Sequence, residues 1–194
     1  MKTLILGSSS VFRKAILEKL DLPFICVSPD IDETERPNEK IADLVQRLSI
    51  EKAEAVAKNY PNALIIGSDG LASLEGDMFG KPHTHERARE MLEFASGKTM
   101  SFHTGLCLLD SSTDKYQVCV EVSKVTLRKL TRSQIDYYLE KEKPYHSSGG
   151  IKAEGIGVAL FEKVETNDFN ALIGLPLMQL VRMLGQAGVE VLAK

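Results

Sequence analysis

The sequence predicts an α/β fold. Short apolar runs typical of β-strands alternate with amphipathic helical patterns along the chain. Turns rich in glycine and proline separate many of these segments. The chain has 194 residues, of which 43% are hydrophobic, which is enough for one domain or for two lobes that share a core.

Charge and cysteine content exclude several functional classes. The formal net charge of −3 at pH 7 argues against a general binder of nucleic acid or anionic membranes, so any phosphate site must be built locally. Cys26, Cys107 and Cys119 lack the spacing of a zinc or redox motif, and we predict that all are reduced core thiols. No segment approaches the roughly 20 apolar residues of a membrane span, so a soluble cytoplasmic protein is expected.

The first elements are predicted to be a strand, a tight turn and a helix. Thr3 to Leu6 is an apolar run, and Gly7 to Ser10 breaks it. Phe12, Ile16 and Leu20 carry the helical pattern that follows. Serines at a helix start can cap its free amides, and those amides can also bind phosphate. Plain capping explains the serines equally well.

A long helix is predicted after a strand and an acidic loop between Pro23 and Pro37. It runs from Ile41 to about Lys58. Lys52 lies seven residues after Val45 and four after Leu48, on the apolar stripe of this helix. A lysine in that position either extends its charged end to the surface or has a specific partner.

The next strand places an aspartate where α/β sheets bind ligands. Ala63 to Ile66 reads as a buried strand that stops at Gly67, so Asp69 is predicted at its carboxyl end. An aspartate there can also simply form a turn. A turn-rich stretch that contains Gly76 predicts a hairpin.

The remaining elements follow from periodicity and turn signals. We predict a helix closed by Gly97, two long strands forming an extended hairpin, a helix after Thr131 that Pro144 ends, a strand, and a final helix. The three strands are predicted over 99–109, 116–127 and 158–164, and the final helix through Leu177 and Leu184.

Charged residues at the edges of these elements suggest phosphoanhydride chemistry. The cations suited to a cleft for several phosphates are Arg13, Lys52, Lys81 and Lys152. Glu33 and Asp69 lie at two different loop ends, as needed if Mg²⁺ or Mn²⁺ is shared between protein and phosphate oxygens. Each of these residues also has a satisfactory interpretation as an ordinary surface charge.

Several short motifs, in order along nearly the whole chain, resemble those of the Maf family. Asp32-Glu33-Thr34 matches its DET motif, and Gly80-Lys81-Pro82 is identical to its GKP motif. The other segments that resemble family motifs are Ser8 to Lys14, Arg47 to Ala53, Gly67 to Asp69, Gly149 to Gly155 and Gly174 to Pro176.

The resemblance implies a fold and an activity. It implies an elongated α/β fold similar to that of the inosine triphosphate pyrophosphatases, with a central mixed sheet. Residues 1–194 are expected to form a single domain whose two lobes share a substrate cleft. The expected reaction is hydrolysis of a nucleoside triphosphate between its α and β phosphates, with Mg²⁺, Mn²⁺ or Co²⁺ as cofactor. Neither nucleic acid nor membrane is expected as a partner, and a homodimer is left open.

Roles carry over from the family to matching residues. Asp69 is expected to activate water, and Glu33 and Asp69 to hold the metal. Ser8, Arg13, Lys52 and Lys81 are expected to hold the phosphates. The sequence departs from the family pattern at Val11, where a proline is usual, and at Gly70, where relatives of the proposed subtype carry a polar residue that bears on base recognition.

Within the family pattern, Phe12 and Glu154 favour 7-methyl-GTP as the substrate. Without the family context, Phe12 is better interpreted as a core residue on the helix stripe with Ile16, and Glu154 as an exposed loop charge. An aromatic ring attracts the cationic 7-methylguanine ring, and a carboxylate can accept hydrogen bonds from guanine N1 and N2. Removal of modified nucleotides is a role that fits this substrate. The alternatives are a dTTP/UTP pyrophosphatase of the same family and a non-catalytic nucleotide-binding regulator of septum formation. Retention of Glu33, Lys52, Asp69 and Lys81 favours an enzyme over the regulator.

Overall fold

The structure, a computed structural model, describes residues 2–192. Within them, seven strands form one mixed sheet in the order β2-β1-β3-β5-β6-β7, with β4 paired to β3. The strands are β1 (Thr3–Gly7), β2 (Phe24–Cys26), β3 (Ala63–Leu74), β4 (Asp77–Phe79), β5 (Thr99–Asp110), β6 (Lys115–Leu127) and β7 (Phe161–Glu165). The helices are α1 (Val11–Glu18), α2 (Ile41–Ala57), α3 (His85–Ala95), α4 (Arg132–Glu142), α5 (Phe169–Ile173) and α6 (Leu177–Gln186). An α/β fold with a central mixed sheet is therefore confirmed.

The chain divides into two compact units. Unit 1 comprises Met1–Asp69, Thr104–Glu121 and Gly174–Lys194, and unit 2 comprises Gly70–His103 and Val122–Ile173. In unit 1, β1 pairs in parallel with β2 and with the first part of β3. In unit 2, β4 and β7 add antiparallel pairs to β3 and β6. Each unit has its own cluster of buried apolar side chains.

Two glycines let α2 lie directly against the strands of unit 1. A Cβ at Gly67 would be 2.0 Å from the backbone oxygen of Ser49, and a Cβ at Gly105 would be 2.3 Å from that of Val45. Any side chain at either position would force the helix away. This close approach brings the face of α2 that carries Lys52 onto the strand that carries Asp69.

Most predicted elements are confirmed, and two strand predictions are wrong. β3 does not stop at Ile66 but continues to Leu74. Its parallel pairing with β1 ends at Gly67, its antiparallel pairing with β4 covers Ala72 to Leu74, and β5 is its neighbour in the sheet. Asp69 therefore lies inside a strand, just beyond the last residue of β1. The strand predicted over 158–164 begins only at Phe161, because Ile156–Leu160 forms a 3₁₀ helix.

Two smaller expectations also differ, and one short helix was not predicted. Helix α1 ends at Glu18, so Leu20 lies outside it. All three cysteines are free thiols in the described chain, but only Cys107 is fully buried, and Cys26 is exposed on the short strand β2. Helix α5 is too short to show a periodic pattern in the sequence.

Between residues 2 and 192, no helix combines the length and the apolar character needed to cross a membrane.

Candidate active site

The serine turn after β1 combines capping with a buried hydroxyl. The Ser10 hydroxyl caps α1 by accepting a hydrogen bond from the Arg13 amide at 3.3 Å. The Ser8 hydroxyl accepts from the Ser10 amide at 3.1 Å, and Ser8 is only 6% exposed. Capping thus accounts for Ser10 but leaves Ser8 turned into the protein, near the side chain of Arg13.

Arg13 is anchored on both sides of its guanidinium. Its Nε donates to the Gly174 carbonyl at 2.8 Å, and its Nη1 lies 3.4 Å from the Ser8 hydroxyl. Burial lowers the pKa of Arg13, while the carboxylates of Asp69 and Glu33 act in the opposite direction. Arginine keeps its charge at any physiological pH. The site therefore holds a fixed cation near two carboxylates.

Lys52 joins the two predicted metal ligands. Its Nζ lies 2.6 Å from Asp69 Oδ1 and 2.8 Å from Glu33 Oε1. The residue is only 5% exposed, so its charge does not reach the surface beside the helix. The interpretation of Lys52 as a snorkelling residue is therefore wrong. A buried ammonium is tolerated because two carboxylates neutralise it.

The backbone of Asp69 is fixed by a residue that the sequence analysis did not identify. The Ser49 hydroxyl accepts a hydrogen bond from the Asp69 amide at 3.1 Å and donates to the Val45 carbonyl at 2.6 Å. Ser49 is completely buried on α2. It lies three residues before Lys52, so a second polar residue on the apolar stripe was the available signal.

Ser68 is a second residue of the site that was not predicted, and it contacts the carbonyl that anchors Arg13. Its hydroxyl lies 2.7 Å from the Gly105 carbonyl and 2.9 Å from the Gly174 carbonyl, and it has one proton to donate. The Gly174 carbonyl also accepts from Arg13. Gly174 has φ of +131°, a conformation that favours glycine. The segment Gly174 to Pro176 thus positions Arg13 through its backbone.

The acidic loop that carries Glu33 is held to α2 by Arg47. The Arg47 guanidinium donates to both Glu39 oxygens at 2.6 and 2.7 Å and to the Thr34 carbonyl at 3.1 Å. The hydrogen bonds between Arg47 and Glu39 are the main cause that lowers the pKa of Glu39 to about 2. Within the loop, the Thr34 amide and hydroxyl both donate to Asp32, which lowers the pKa of that carboxyl.

The donor set suits a divalent cation that is shared with a substrate. In residues 2–192, no group of three or more His, Cys, Asp or Glu side chains is placed to hold a metal ion by itself. Glu33 and Asp69 nevertheless converge on one positive charge, the ammonium of Lys52. Carboxylate oxygens are the ligands that Mg²⁺ prefers, and Mg²⁺ commonly takes its remaining ligands from water and substrate phosphates. The two carboxylates therefore fit such an ion.

Unit 2 contains the other predicted site residues. Lys81 is exposed, and the carbonyl of neighbouring Gly80 accepts a hydrogen bond from the Gly149 amide at 3.0 Å. Gly70 is half-buried. Glu154 is an exposed residue, yet partial burial of its carboxyl raises its pKa. Lys152 donates from Nζ to the Glu142 carbonyl at 2.5 Å, so its ammonium already has a protein partner.

The predicted residues thus fall into two groups. In unit 1, the structure brings together Ser8, Arg13, Glu33, Lys52 and Asp69. Phe12, also in unit 1, is 36% exposed, so its interpretation as a core residue on the stripe of α1 is wrong. Unit 2 also has a cavity of about 260 Å³, whose lining includes Tyr137, Tyr138 and Ile156 but none of the predicted site residues.

The chain is similar to known proteins along nearly its whole length. The family model described as Maf-like protein matches residues 3–187. A relative from Colwellia psychrerythraea named 7-methyl-GTP pyrophosphatase is 53% identical over 194 residues, which are 100% of this chain and 97% of the relative. A relative from Pseudomonas aeruginosa with the same name is 50% identical over 191 residues, which are 98% of this chain and 100% of the relative. Among solved structures, the Staphylococcus aureus Ham1 protein is similar with a TM-score of 0.47 and 14% identity, covering 66% of this chain and 73% of that chain.

Proposed function

The chain belongs to the Maf family, and from that premise we propose that it is a nucleoside triphosphate pyrophosphatase that acts on 7-methyl-GTP. The products are 7-methyl-GMP and diphosphate. Full-length relatives named for this activity, with about half of their residues identical, support the proposal. The observation that carries it is the meeting of Asp69 and Glu33 at the buried ammonium of Lys52, with Arg13 close enough to interact electrostatically with both carboxylates.

In this proposal Asp69 acts as the general base. Its carboxylate takes a proton from the water that attacks the α-phosphorus, and the bond from that phosphorus to the bridging oxygen breaks. The Asp69 backbone is fixed by the Ser49 hydroxyl, and its Oδ1 is held by Lys52. Positioning of this kind favours one orientation of the carboxylate toward the water.

The cations of the site stabilise the charge of the leaving diphosphate. Arg13 has its Nε committed to the Gly174 carbonyl, which leaves donors of its guanidinium for phosphate oxygens. Lys52 is held by two carboxylates and can exchange one of them for a phosphate oxygen. Ser8 and Lys81 complete the proposed phosphate contacts. A divalent metal held by Glu33 and Asp69 would polarise the phosphate oxygens.

In this proposal Phe12 and Glu154 recognise the nucleobase. The exposed ring of Phe12 can stack on a cationic 7-methylguanine, and Glu154 can accept hydrogen bonds from N1 and N2. Gly70 adds no side chain that could contact the base. Thymine and uracil do not present the same pair of donors. A preference for 7-methyl-GTP over UTP follows.

A panel of nucleotides tests the proposal. Diphosphate release is measured with 7-methyl-GTP, GTP, dTTP and UTP, each with Mg²⁺ and again with excess chelator. We expect the highest kcat/KM with 7-methyl-GTP and no release with chelator. A higher kcat/KM with dTTP or UTP would replace 7-methyl-GTP with a pyrimidine substrate. Binding of nucleotides without release of diphosphate from any of them would contradict an enzymatic function.

A further inference from the structure

The segment that carries Glu154 is fastened to helix α4 by a buried tyrosine. The Tyr138 hydroxyl donates to the Gly150 carbonyl at 3.1 Å and accepts from the Lys152 amide at 2.9 Å. Tyr138 is only 3% exposed. A single hydroxyl therefore fixes two backbone positions on the amino-terminal side of Glu154.

Glu142, the last residue of α4, fastens the other side of the same segment. Its Oε1 accepts from the Ile156 amide at 2.7 Å, and its backbone carbonyl accepts from Lys152 Nζ at 2.5 Å. Its Oε2 lies 3.7 Å from the same Nζ. A carboxylate at a helix carboxyl terminus opposes the helix dipole, so this position is unfavourable unless other groups compensate it. The Ile156 amide and Lys152 supply that compensation.

Close packing leaves this segment little freedom. A Cβ at Gly155 would lie 2.4 Å from Glu142 Oε1, and a Cβ at Gly157 would lie 2.2 Å from the Lys152 carbonyl. Glu154 itself is exposed between these fixed points. Its carboxylate can therefore be presented from a rigid backbone, which reduces the entropy lost on binding a ligand.

We propose that Tyr138 and Glu142 are positioning residues for base recognition. They hold residues 150–156 so that Glu154 is oriented toward the guanine edge before the nucleotide binds. This inference rests on the proposed function, in which Glu154 reads the base. It also assigns Lys152 to the support of this segment, because its ammonium is bound to Glu142.

The first test removes the Tyr138 hydroxyl. Tyr138→Phe keeps the buried ring and deletes both backbone contacts, whereas Tyr137→Phe, at an exposed neighbour on the same helix, is the control. We expect the ratio of kcat/KM for 7-methyl-GTP over UTP to fall on the order of fivefold to tenfold in Tyr138→Phe only. The loss should lie in KM for 7-methyl-GTP with kcat kept, since base binding contributes equally before and in the transition state.

The second test uses Glu142. Glu142→Ala removes both side-chain contacts, and Glu142→Gln keeps an oxygen for the Ile156 amide. Base preference should therefore fall further in the alanine variant than in the glutamine variant. Glu140→Ala, at an exposed position on α4, is the control and should keep the wild-type ratio. Thermal unfolding identifies any variant that does not fold. If Glu142→Ala does not fold, the kcat/KM ratio of Glu142→Gln decides whether Glu142 positions the segment.

A double-mutant cycle shows whether Tyr138 acts through Glu154. If it does, Tyr138→Phe has no further effect on the ratio when Glu154 is already glutamine. Unchanged ratios in Tyr138→Phe and Glu142→Ala, or an equal loss of kcat/KM for both nucleotides, overturn the positioning role. A wild-type protein without preference for 7-methyl-GTP instead overturns the proposed function, so the two failures are distinct.

Discussion

At the scale of single residues, Lys52 is the centre of the candidate site. Its ammonium is buried on α2 and is neutralised by Asp69 and Glu33 at hydrogen-bonding distance. A buried charge that loses one partner is costly, so the buried ammonium of Lys52 depends on these two carboxylates. Substitutions here must therefore be measured both for activity and for stability.

The first prediction concerns Asp69→Asn. An amide cannot accept the proton of water, so kcat should fall by about 10²–10⁴-fold, while nucleotide binding is retained. Steady-state kinetics and nucleotide titration with metal in excess provide the measurement. Asp43→Asn, at an exposed position of α2, is the control. Turnover near that of the wild type in Asp69→Asn would show that another group is the base.

The second prediction separates phosphate contacts from base contacts. Lys52→Ala and Lys81→Ala should each weaken the binding of 7-methyl-GTP, GTP and UTP by the same factor, because all three nucleotides carry the same triphosphate. Only Lys52→Ala should also lower the melting temperature, since it leaves two carboxylates without their shared partner, whereas Lys81 is exposed. Lys58→Ala serves as the exposed control. An effect confined to one nucleobase would contradict the assignment.

The third prediction concerns the base. Glu154→Gln places a donor opposite a guanine donor, which should cost about 1–3 kcal/mol of preference for 7-methyl-GTP over UTP once the bound base covers the pair. Phe12→Ala should cost about 1 kcal/mol through lost stacking and cation–π attraction. Both are measured as ratios of kcat/KM, with Glu162→Gln on β7 as an exposed control. Equal ratios in all variants would favour a pyrimidine substrate.

At the scale of elements, the close contact of α2 with β3 gives the site its geometry. The fourth prediction is that Gly67→Ala destabilises the protein by about 3 kcal/mol, because its Cβ would lie 2.0 Å from a backbone oxygen. Activity should fall with it, since α2 carries Lys52. Gly185→Ala on α6 has open space around the new methyl group and should be neutral or slightly stabilising. Denaturant unfolding of both variants makes the comparison.

Periodicity and turn signals predicted most elements because these patterns are local. Helix α4, for example, begins after Thr131 and ends before Pro144, as its capping residues indicate. The continuation of β3 through Asp69 to Leu74 was missed, because β3 passes from β1, whose pairing ends at Gly67, to β4, whose pairing begins at Ala72, while β5 is its neighbour in the sheet. A change of partner is a tertiary event without a local sequence signal.

The same limit explains what the sequence revealed of the site. Charged residues such as Lys52 stand out on an apolar stripe, and family motifs point to them. The Gly174 carbonyl, which anchors Arg13, has no side-chain signal. Ser49 was overlooked because a small hydroxyl residue in a helix is ordinary. Its role follows only from the contact with the Asp69 amide.

At the scale of the whole molecule, the proposed roles are unevenly distributed. The proposed general base and metal ligands belong to unit 1, together with Arg13 and Lys52, whereas Glu154 and its supports on α4 belong to unit 2. Tyr138→Phe and Glu142→Ala in α4 should therefore change nucleobase preference without changing metal dependence. The Maf family match covers residues 3–187 and so includes both sets.

The contact between Glu39 and Arg47 makes one contribution to stability that depends on pH. The folded protein holds the pKa of Glu39 at about 2, below its ordinary value of 4.5. A carboxyl with a depressed pKa in the folded state stabilises it fully above the unfolded pKa. That contribution is lost as the pH falls from about 4.5 through 2, because the unfolded chain takes up the proton first.

The fifth prediction follows from this linkage. In Glu39→Gln, the free energy of unfolding should be lower than in the wild type at pH 7 and should decline less steeply between about pH 4.5 and 2. Urea unfolding at several pH values measures the free energy of unfolding and its change with pH in both proteins. Glu35→Gln, at an exposed position of the same loop, is the control. Because Arg47 also binds the Thr34 carbonyl, loss of Glu39 should loosen the loop that carries Glu33. Glu39→Gln should therefore need a higher Mg²⁺ concentration for half-maximal hydrolysis. An unchanged Mg²⁺ requirement would show that the contact between Glu39 and Arg47 contributes to stability alone.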